Sequence, residues 1–295
     1  MKVRKAIIPV AGLATRFIPL SKAVPKELLP LVDKPAIQYL VEEAIKSGIK
    51  EIVFVVNPQK RGVLDYFEKA PKLEKILEEK KEDELLEKIK DLEEISKEIS
   101  FSYVVQKEQL GDGHAILQAK KIIGNEPFAV FFCDDIIDSK KPCLLQLLDV
   151  YKTCEKPVIA LRKVPKEKTS LYGIVETEKI ANRFHKIKKI VEKPSIGSVL
   201  SDIAIVGRYV LTPEVFEYLG KVRSNKKGEL ILAKILMEMV DSGKIIYGYE
   251  IEGEWLECGN KLGYLKSNIY LSLKHPEFGP ELKNIFNKYY EGKKI

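Results

Sequence analysis

At 295 residues, with 45% hydrophobic, 8% aromatic and 32% charged residues, the chain carries enough apolar material for a large buried core, which excludes a disordered tail or a collagen-like fibre. No stretch reaches the roughly 18–20 uninterrupted apolar residues of a membrane span, and residues 1–5 lead straight into a strand, so the sequence predicts a soluble, cytoplasmic protein without a membrane partner. The formal charge of +7 is a small difference between 50 Lys plus Arg and 43 Asp plus Glu; it suits anionic ligands and does not point to nucleic acid.

In chain order, residues 3–10 are rich in Ile and Val with little alternation, as in a strand buried on both faces. The strand ends in Pro9-Val10-Ala11-Gly12, the onset of a loop. After a proline-punctuated segment, Ile37, Leu40, Val41, Ala44 and Ile45 recur at helical spacing and stop at Ser47-Gly48. Residues 51–56 form a second buried strand, and the same alternation returns at 101–105, 113–122 and 128–132. This order predicts a mostly parallel, doubly wound α/β sheet covered by helices on both faces.

Between the second and third strands, residues 72–98 are crowded with Lys and Glu while Leu73, Ile76, Leu77, Leu85, Leu86, Ile89, Leu92 and Ile95 keep helical spacing. One or two amphipathic surface helices are expected there. The four cysteines form no Cys-x-x-Cys pair and the three histidines are dispersed, which argues against a zinc site or a disulfide framework.

From Pro157 the texture changes. Strands are expected at 158–164, 173–178, 184–191 and 201–211, the second and third paired as a hairpin, followed by a helix at about 228–242, a strand at 245–251, a turn at 255–260 and C-terminal helices. The second half thus reads as an α+β region built onto the first sheet, with no Pro/Gly-rich linker between the halves. One domain is expected over 1–295: a nucleotide-binding half at 1–156 with a helical insertion near 70–100, and a substrate half at 157–295.

The segment from Val10 to Phe17, followed by Lys22, Pro25-Lys26-Glu27 and Leu29-Pro30, is the most informative. A Gly-containing turn directly after a strand lets backbone N–H groups approach a phosphate chain, and Arg16 and Lys26 add cationic donors. Neither a Walker loop nor a Gly-x-Gly-x-x-Gly fingerprint is present. The segment resembles the N-terminal signature of sugar-nucleotide pyrophosphorylases, and Lys26 to Pro35 resembles the bacterial UTP:glucose-1-phosphate uridylyltransferases in particular. Further blocks match in the same order: Gln106 with Gly111-Asp112-Gly113-His114-Ala115, Asp134-Asp135, Tyr172-Gly173-Ile174-Val175, Val191-Glu192-Lys193-Pro194, residues 204–210, and Cys258-Gly259-Asn260.

The resemblance implies a Rossmann-like fold with a mixed sheet, a small α+β sugar-binding region and C-terminal helices. It implies attack by the phosphate oxygen of glucose 1-phosphate on the α-phosphorus of UTP, giving UDP-glucose and pyrophosphate with Mg²⁺ present. Arg16, Lys26, Asp134 and Lys193 are the implied catalytic residues, and Asp134 is the implied metal ligand. Ala11, Gly12, Gln106 and Gly111 would bind the nucleotide, with Gly111 and Gly113 letting the backbone approach the base. Gly173, Glu192 and Lys193 would bind the sugar phosphate. His114 reads as structural, and Asp135 as a helper or a cap. The family also implies a homodimer or homotetramer.

Several positions depart from the pattern. Ala14 stands where glycine is usual, which costs about 1 kcal/mol if that position needs positive φ. Asp112 places a carboxylate close to the expected uracil site. Asp202 replaces Asn, Ile231, Ala233 and Lys234 replace Gln, Thr and Asp, and Glu257 replaces Asp. Two alternatives therefore remain: a catalytically weak regulatory paralogue that binds UTP or UDP-sugar, or a pyrophosphorylase using dTTP or another hexose 1-phosphate.

Overall fold

The computed structural model describes residues 2–290, apart from 59–60, 196, 199–200 and 226–227. Its main sheet is built from β1 (Lys5–Pro9), β2 (Glu51–Val56), β3 (Ser100–Val105), β4 (Phe128–Phe131), β6 (Val158–Lys163), β7 (Gly173–Ala181), β8 (Phe184–Glu192), β9 (Ile203–Leu211) and β10 (Tyr247–Glu250). A separate ribbon joins β5 (Asp135–Asp138) to β11 (Glu254–Glu257). The nine strands lie in the order β3-β2-β1-β4-β9-β6-β10-β8-β7. The pairs β3–β2, β2–β1, β1–β4 and β6–β10 are parallel, whereas β9 runs antiparallel to both β4 and β6.

The near-continuous apolar runs in β1 and β2 follow from burial on both faces. Successive side chains of a strand point to opposite sides. Ala6 and Ile8 accordingly enter one core layer, with Leu40 and Val41 of the helix Ala36–Lys46 and Leu144 and Leu147 of the helix Cys143–Cys154. Ile7 enters the other layer, with Ile116 of the helix Asp112–Gln118, Phe216 of the helix Val215–Asn225 and Leu236 of the helix Leu232–Asp241. Residues 72–98 form two helices, Pro71–Lys80 and Asp83–Glu98, which bury Leu77 and Leu86.

Four elements differ from the sequence reading. The helix expected from about 228 starts at Leu232, because the backbone of Leu230 is committed elsewhere: its N–H donates to Leu110 O (2.7 Å) and its carbonyl accepts from Gly113 N (2.8 Å). The expected turn at 255–260 is in part the strand β11, held to β5 in the register Trp255↔Ile137. The helices Cys143–Cys154 and Val215–Asn225 carry no mark in the sequence reading. In the first, Gln146 is buried, bridging Lys141 O (3.0 Å) and Glu252 O (3.2 Å), so a polar residue stands where periodicity wants an apolar one.

Candidate active site

Parallel strands open their ligand crevice at their carboxyl ends, and the loops following β1, β4 and β6 meet there. Together with the end of β8, part of β9 and the Trp255–Asn260 segment they enclose a cleft of about 530 Å³. Arg16, Asp134, Gly173, Glu192 and Lys193 all line this cleft. Ala11, Gly12, Lys26, Gln106 and Gly111 stand outside its wall, on the loops that leave β1 and β3 on either side of β2: Val10 N donates to Val55 O, and Gln106 N to Val56 O, both at 2.8 Å.

The loop after β1 turns at Ala14, whose φ of 52° and ψ of 44° lie in the left-handed region. The condition attached to this departure from the family pattern, a positive φ, therefore holds. Its carbonyl accepts from Phe17 N at 2.9 Å, and Phe17 meets Tyr264 edge to face at 6.0 Å. Arg16 is thereby carried to the cleft, where Nη1 donates to Gly259 O at 3.3 Å.

Asp134 follows β4 and is held from both sides. Its carbonyl accepts from Cys258 N at 2.6 Å, and Oδ1 pairs with the Lys26 ammonium. Burial by itself would lower the affinity of Lys26 for its proton, but the charges of Asp134 and Glu27 outweigh it and raise the ammonium above the usual lysine range. A Cβ at Gly259 would lie 2.8 Å from Asp134 Oδ2, so the glycine leaves room for the carboxylate. Asp135 is neither a cap nor a solvent-facing acid. It opens β5, and its two oxygens accept from Trp255 Nε1 (2.6 Å) and Gly207 N (3.1 Å). Burial, reinforced by the charge of Asp134, pushes its pKa up to about 6.

On the opposite wall, Gly173 is pressed against Glu192; a Cβ there would lie 3.1 Å from Glu192 Oε2. Lys193 takes a positive φ of 45°, its N–H donates to Tyr172 O (3.0 Å) and its ammonium lies 3.6 Å from Glu192 Oε1. A strained backbone held by a specific partner is a common feature of binding sites. Glu257 is likewise fixed, accepting from Tyr172 Oη (3.0 Å) and Asn260 Nδ2 (3.1 Å). Burial, and then the Glu257 charge, raise the Tyr172 phenol above the usual tyrosine range.

The loop after β3 is built differently from the sequence reading. The Gln106 amide is buried and donates to Gly111 O (3.1 Å), with His114 Nδ1 at 3.0 Å. His114 is buried as a structural residue, its other ring nitrogen 2.9 Å from Gln118 Nε2. Gly111 has a φ of 99°, and a Cβ there would lie 2.5 Å from Leu230 O; at Gly113 the corresponding distance is 2.9 Å. The chain that approaches these glycines is the Leu230 backbone. The Asp112 carboxylate is engaged by backbone: Oδ1 accepts from Gly113 N (2.7 Å) and Leu232 N (2.9 Å).

Among the described residues, no group of three or more His, Cys, Asp and Glu is arranged to hold a metal by protein ligands alone. The carboxylates of Asp135 and Glu257 are occupied by hydrogen-bond donors, whereas Asp134 Oδ2 faces the space beside Gly259. A small, hard divalent cation takes one or two carboxylates and completes its shell with water and substrate phosphates. The donor set fits that use. The sequence reading missed the apolar and aromatic wall of Phe132, Ile205, Tyr209 and Trp255. Ile205 and Tyr209 lie in the matching block 204–210, but nothing local in the sequence shows that their side chains face a cleft.

No helix of the described chain is long and apolar enough to cross a membrane. A nucleotidyl transferase family model matches residues 5–272. The UTP–glucose-1-phosphate uridylyltransferase of Staphylococcus epidermidis is 44% identical over 282 residues, covering 96% of each chain. A UTP-bound UGPase from Acinetobacter baumannii superposes with a TM-score of 0.88 at 35% identity, covering 97% of this chain and 99% of that one. A UDP-glucose pyrophosphorylase complexed with UDP-glucose gives a TM-score of 0.82, also at 35% identity, covering 93% of this chain and all of the other. With a family match over nearly its whole length and a crevice at the carboxyl ends of a mixed α/β sheet, this chain belongs to the nucleotidyl transferase family.

Proposed function

We propose that the chain transfers a uridylyl group from UTP to glucose 1-phosphate, releasing pyrophosphate and forming UDP-glucose. The observation that carries the reading is the meeting of Arg16, Asp134, Glu192 and Lys193 around one cleft, in a chain that is 44% identical to a named uridylyltransferase over 96% of its length. A phosphate oxygen of the sugar phosphate attacks the α-phosphorus of UTP, and the bond from that phosphorus to the bridging oxygen of pyrophosphate breaks. Two anions must be aligned and their charge neutralised, and no protein nucleophile is required.

Arg16 and Lys26, with the backbone of Ala11 and Gly12, are assigned to the triphosphate. Lys193 is assigned to the sugar phosphate, and Glu192 with the Gly173 main chain to the hexose hydroxyls. The base is assigned to the loop carrying Gln106 and Gly111. Lys26 keeps its proton and so remains a fixed positive charge beside the reacting phosphates. Asp134 is the carboxylate that would hold Mg²⁺, which supplies charge neutralisation on the phosphate oxygens when bound. Assembly as a homodimer or homotetramer and a cytoplasmic location belong to the same reading.

The test is pyrophosphate release from purified protein with UTP, glucose 1-phosphate and Mg²⁺, run beside dTTP and other hexose 1-phosphates. Turnover with the first pair, abolished in Asp134→Ala, is expected. A preference for another pair would redirect the specificity, and binding without turnover would identify a regulatory paralogue.

A further inference from the structure

Asp112 and the segment from Leu230 to Ala233 are far apart in sequence but meet in the fold. Two backbone hydrogen bonds, Leu230 N to Leu110 O (2.7 Å) and Gly113 N to Leu230 O (2.8 Å), hold the loop after β3 against Leu230. The first residue of the next helix, Leu232, is held by a third bond, from its N–H to Asp112 Oδ1 at 2.9 Å. Ile231, at the N-cap of that helix, offers no side-chain acceptor. A helix leaves its first N–H groups without internal partners, so the carboxylate of Asp112 supplies from another element the cap that the local sequence lacks. Asp112 and Ala233 both line the cleft that Gly173 and Glu192 also line.

We infer that Asp112 is a positioning residue that fixes the start of the helix Leu232–Asp241, and with it the Ala233 wall on the hexose side of the cleft, to the loop that follows β3. The inference rests on the uridylyltransferase reading for the identity of the two substrates. Removing the carboxylate leaves both Leu230 backbone bonds in place, so the loop after β3 keeps its anchor while the helix start loses its own. The consequence is asymmetric: binding of the hexose phosphate suffers and binding of the nucleotide does not. Burial holds the Asp112 carboxyl above the usual carboxylate range, against the two N–H donors that stabilise its charge. Oδ1 acts as an acceptor from two backbone N–H groups, and the asparagine side chain offers an acceptor oxygen of the same reach, so asparagine should serve.

The experiment compares wild type, Asp112→Ala and Asp112→Asn by steady-state kinetics in both substrates and by amide hydrogen exchange in the absence of substrate. In Asp112→Ala, KM for glucose 1-phosphate is expected to rise about tenfold while KM for UTP and kcat change less than about threefold. Exchange over the first turn of the helix Leu232–Asp241 is expected to accelerate, and Asp112→Asn to restore both readouts. Equal rises in both KM values, unchanged exchange in the alanine variant, or no rescue by asparagine would overturn the proposal. If the wild type does not turn over UTP and glucose 1-phosphate, the uridylyltransferase reading fails, and exchange in the two variants alone then decides the positioning role.

Discussion

Arg208 Nη2 lies 2.9 Å from Glu43 Oε2, and the Arg208 side chain is wholly excluded from solvent. Nε reaches both Glu43 oxygens at 3.1–3.2 Å, while Nη1 donates to Phe132 O and Gly207 O. Glu43 also accepts from Leu144 N at 2.9 Å. One ion pair therefore ties the helix Ala36–Lys46, the start of the helix Cys143–Cys154, strand β9 and the exit of β4 that leads to Asp134. Arg208→Met strands the Glu43 carboxylate in the core and is expected to lower unfolding free energy by about 3–5 kcal/mol in guanidinium denaturation. The double variant Arg208→Met/Glu43→Leu should recover more than half of that loss; a double variant as unstable as the single one would contradict this account.

Asp135 makes stability depend on pH. Its pKa of about 6 in the folded protein lies above the ordinary 3.8, so the folded state holds the proton more tightly than the unfolded chain. Its contribution is greatest below about pH 4, declines as pH rises towards 6, and is flat above that. The whole change is about 3 kcal/mol. Between pH 4 and 7 the stability difference between Asp135→Asn and wild type should move by that amount in favour of the variant, measured by denaturant titration at each pH. A difference independent of pH would remove Asp135 as its source.

Gly259 sets the place of Asp134. A methyl group there would come within 2.8 Å of Asp134 Oδ2 and 3.2 Å of Asp134 Cβ, so Gly259→Ala must displace the acid by a fraction of an ångström or more. Misplacement of a reacting group on the ångström scale costs about 100-fold in rate. Pyrophosphate release should fall by about that factor in Gly259→Ala, with the melting temperature changed by no more than about 3 °C.

Ala14 carries a left-handed strain that glycine would not. At a φ of 52° its Cβ is unfavourable by about 1 kcal/mol. Ala14→Gly is expected to raise stability by about that amount, contrary to the usual loss on replacing alanine by glycine, as read by thermal melting. A lowered melting temperature would show that the left-handed turn is not the dominant conformation.

Much of the fold is determined by the chain itself. The two-sided apolar runs of β1, β2 and β4 cannot be solvated on either face, so they specify a covered sheet, and the helical spacing of Ile37, Leu40, Val41 and Ala44 specifies the layer that covers it. Arg16, Asp134, Glu192 and Lys193 were legible as a set through the resemblance of several short motifs, in the same order, to one family, and they meet in one cleft. Their partners were decided only in three dimensions. The room for Asp134 comes from Gly259, the orientation of Asp135 from Trp255 and Gly207, and the helix cap at Leu232 from Asp112. Each of these depends on atoms brought together across 70 or more residues of chain. Periodicity reports which side of an element is apolar, but it carries no information on which distant N–H or Cα will stand beside a given carboxylate.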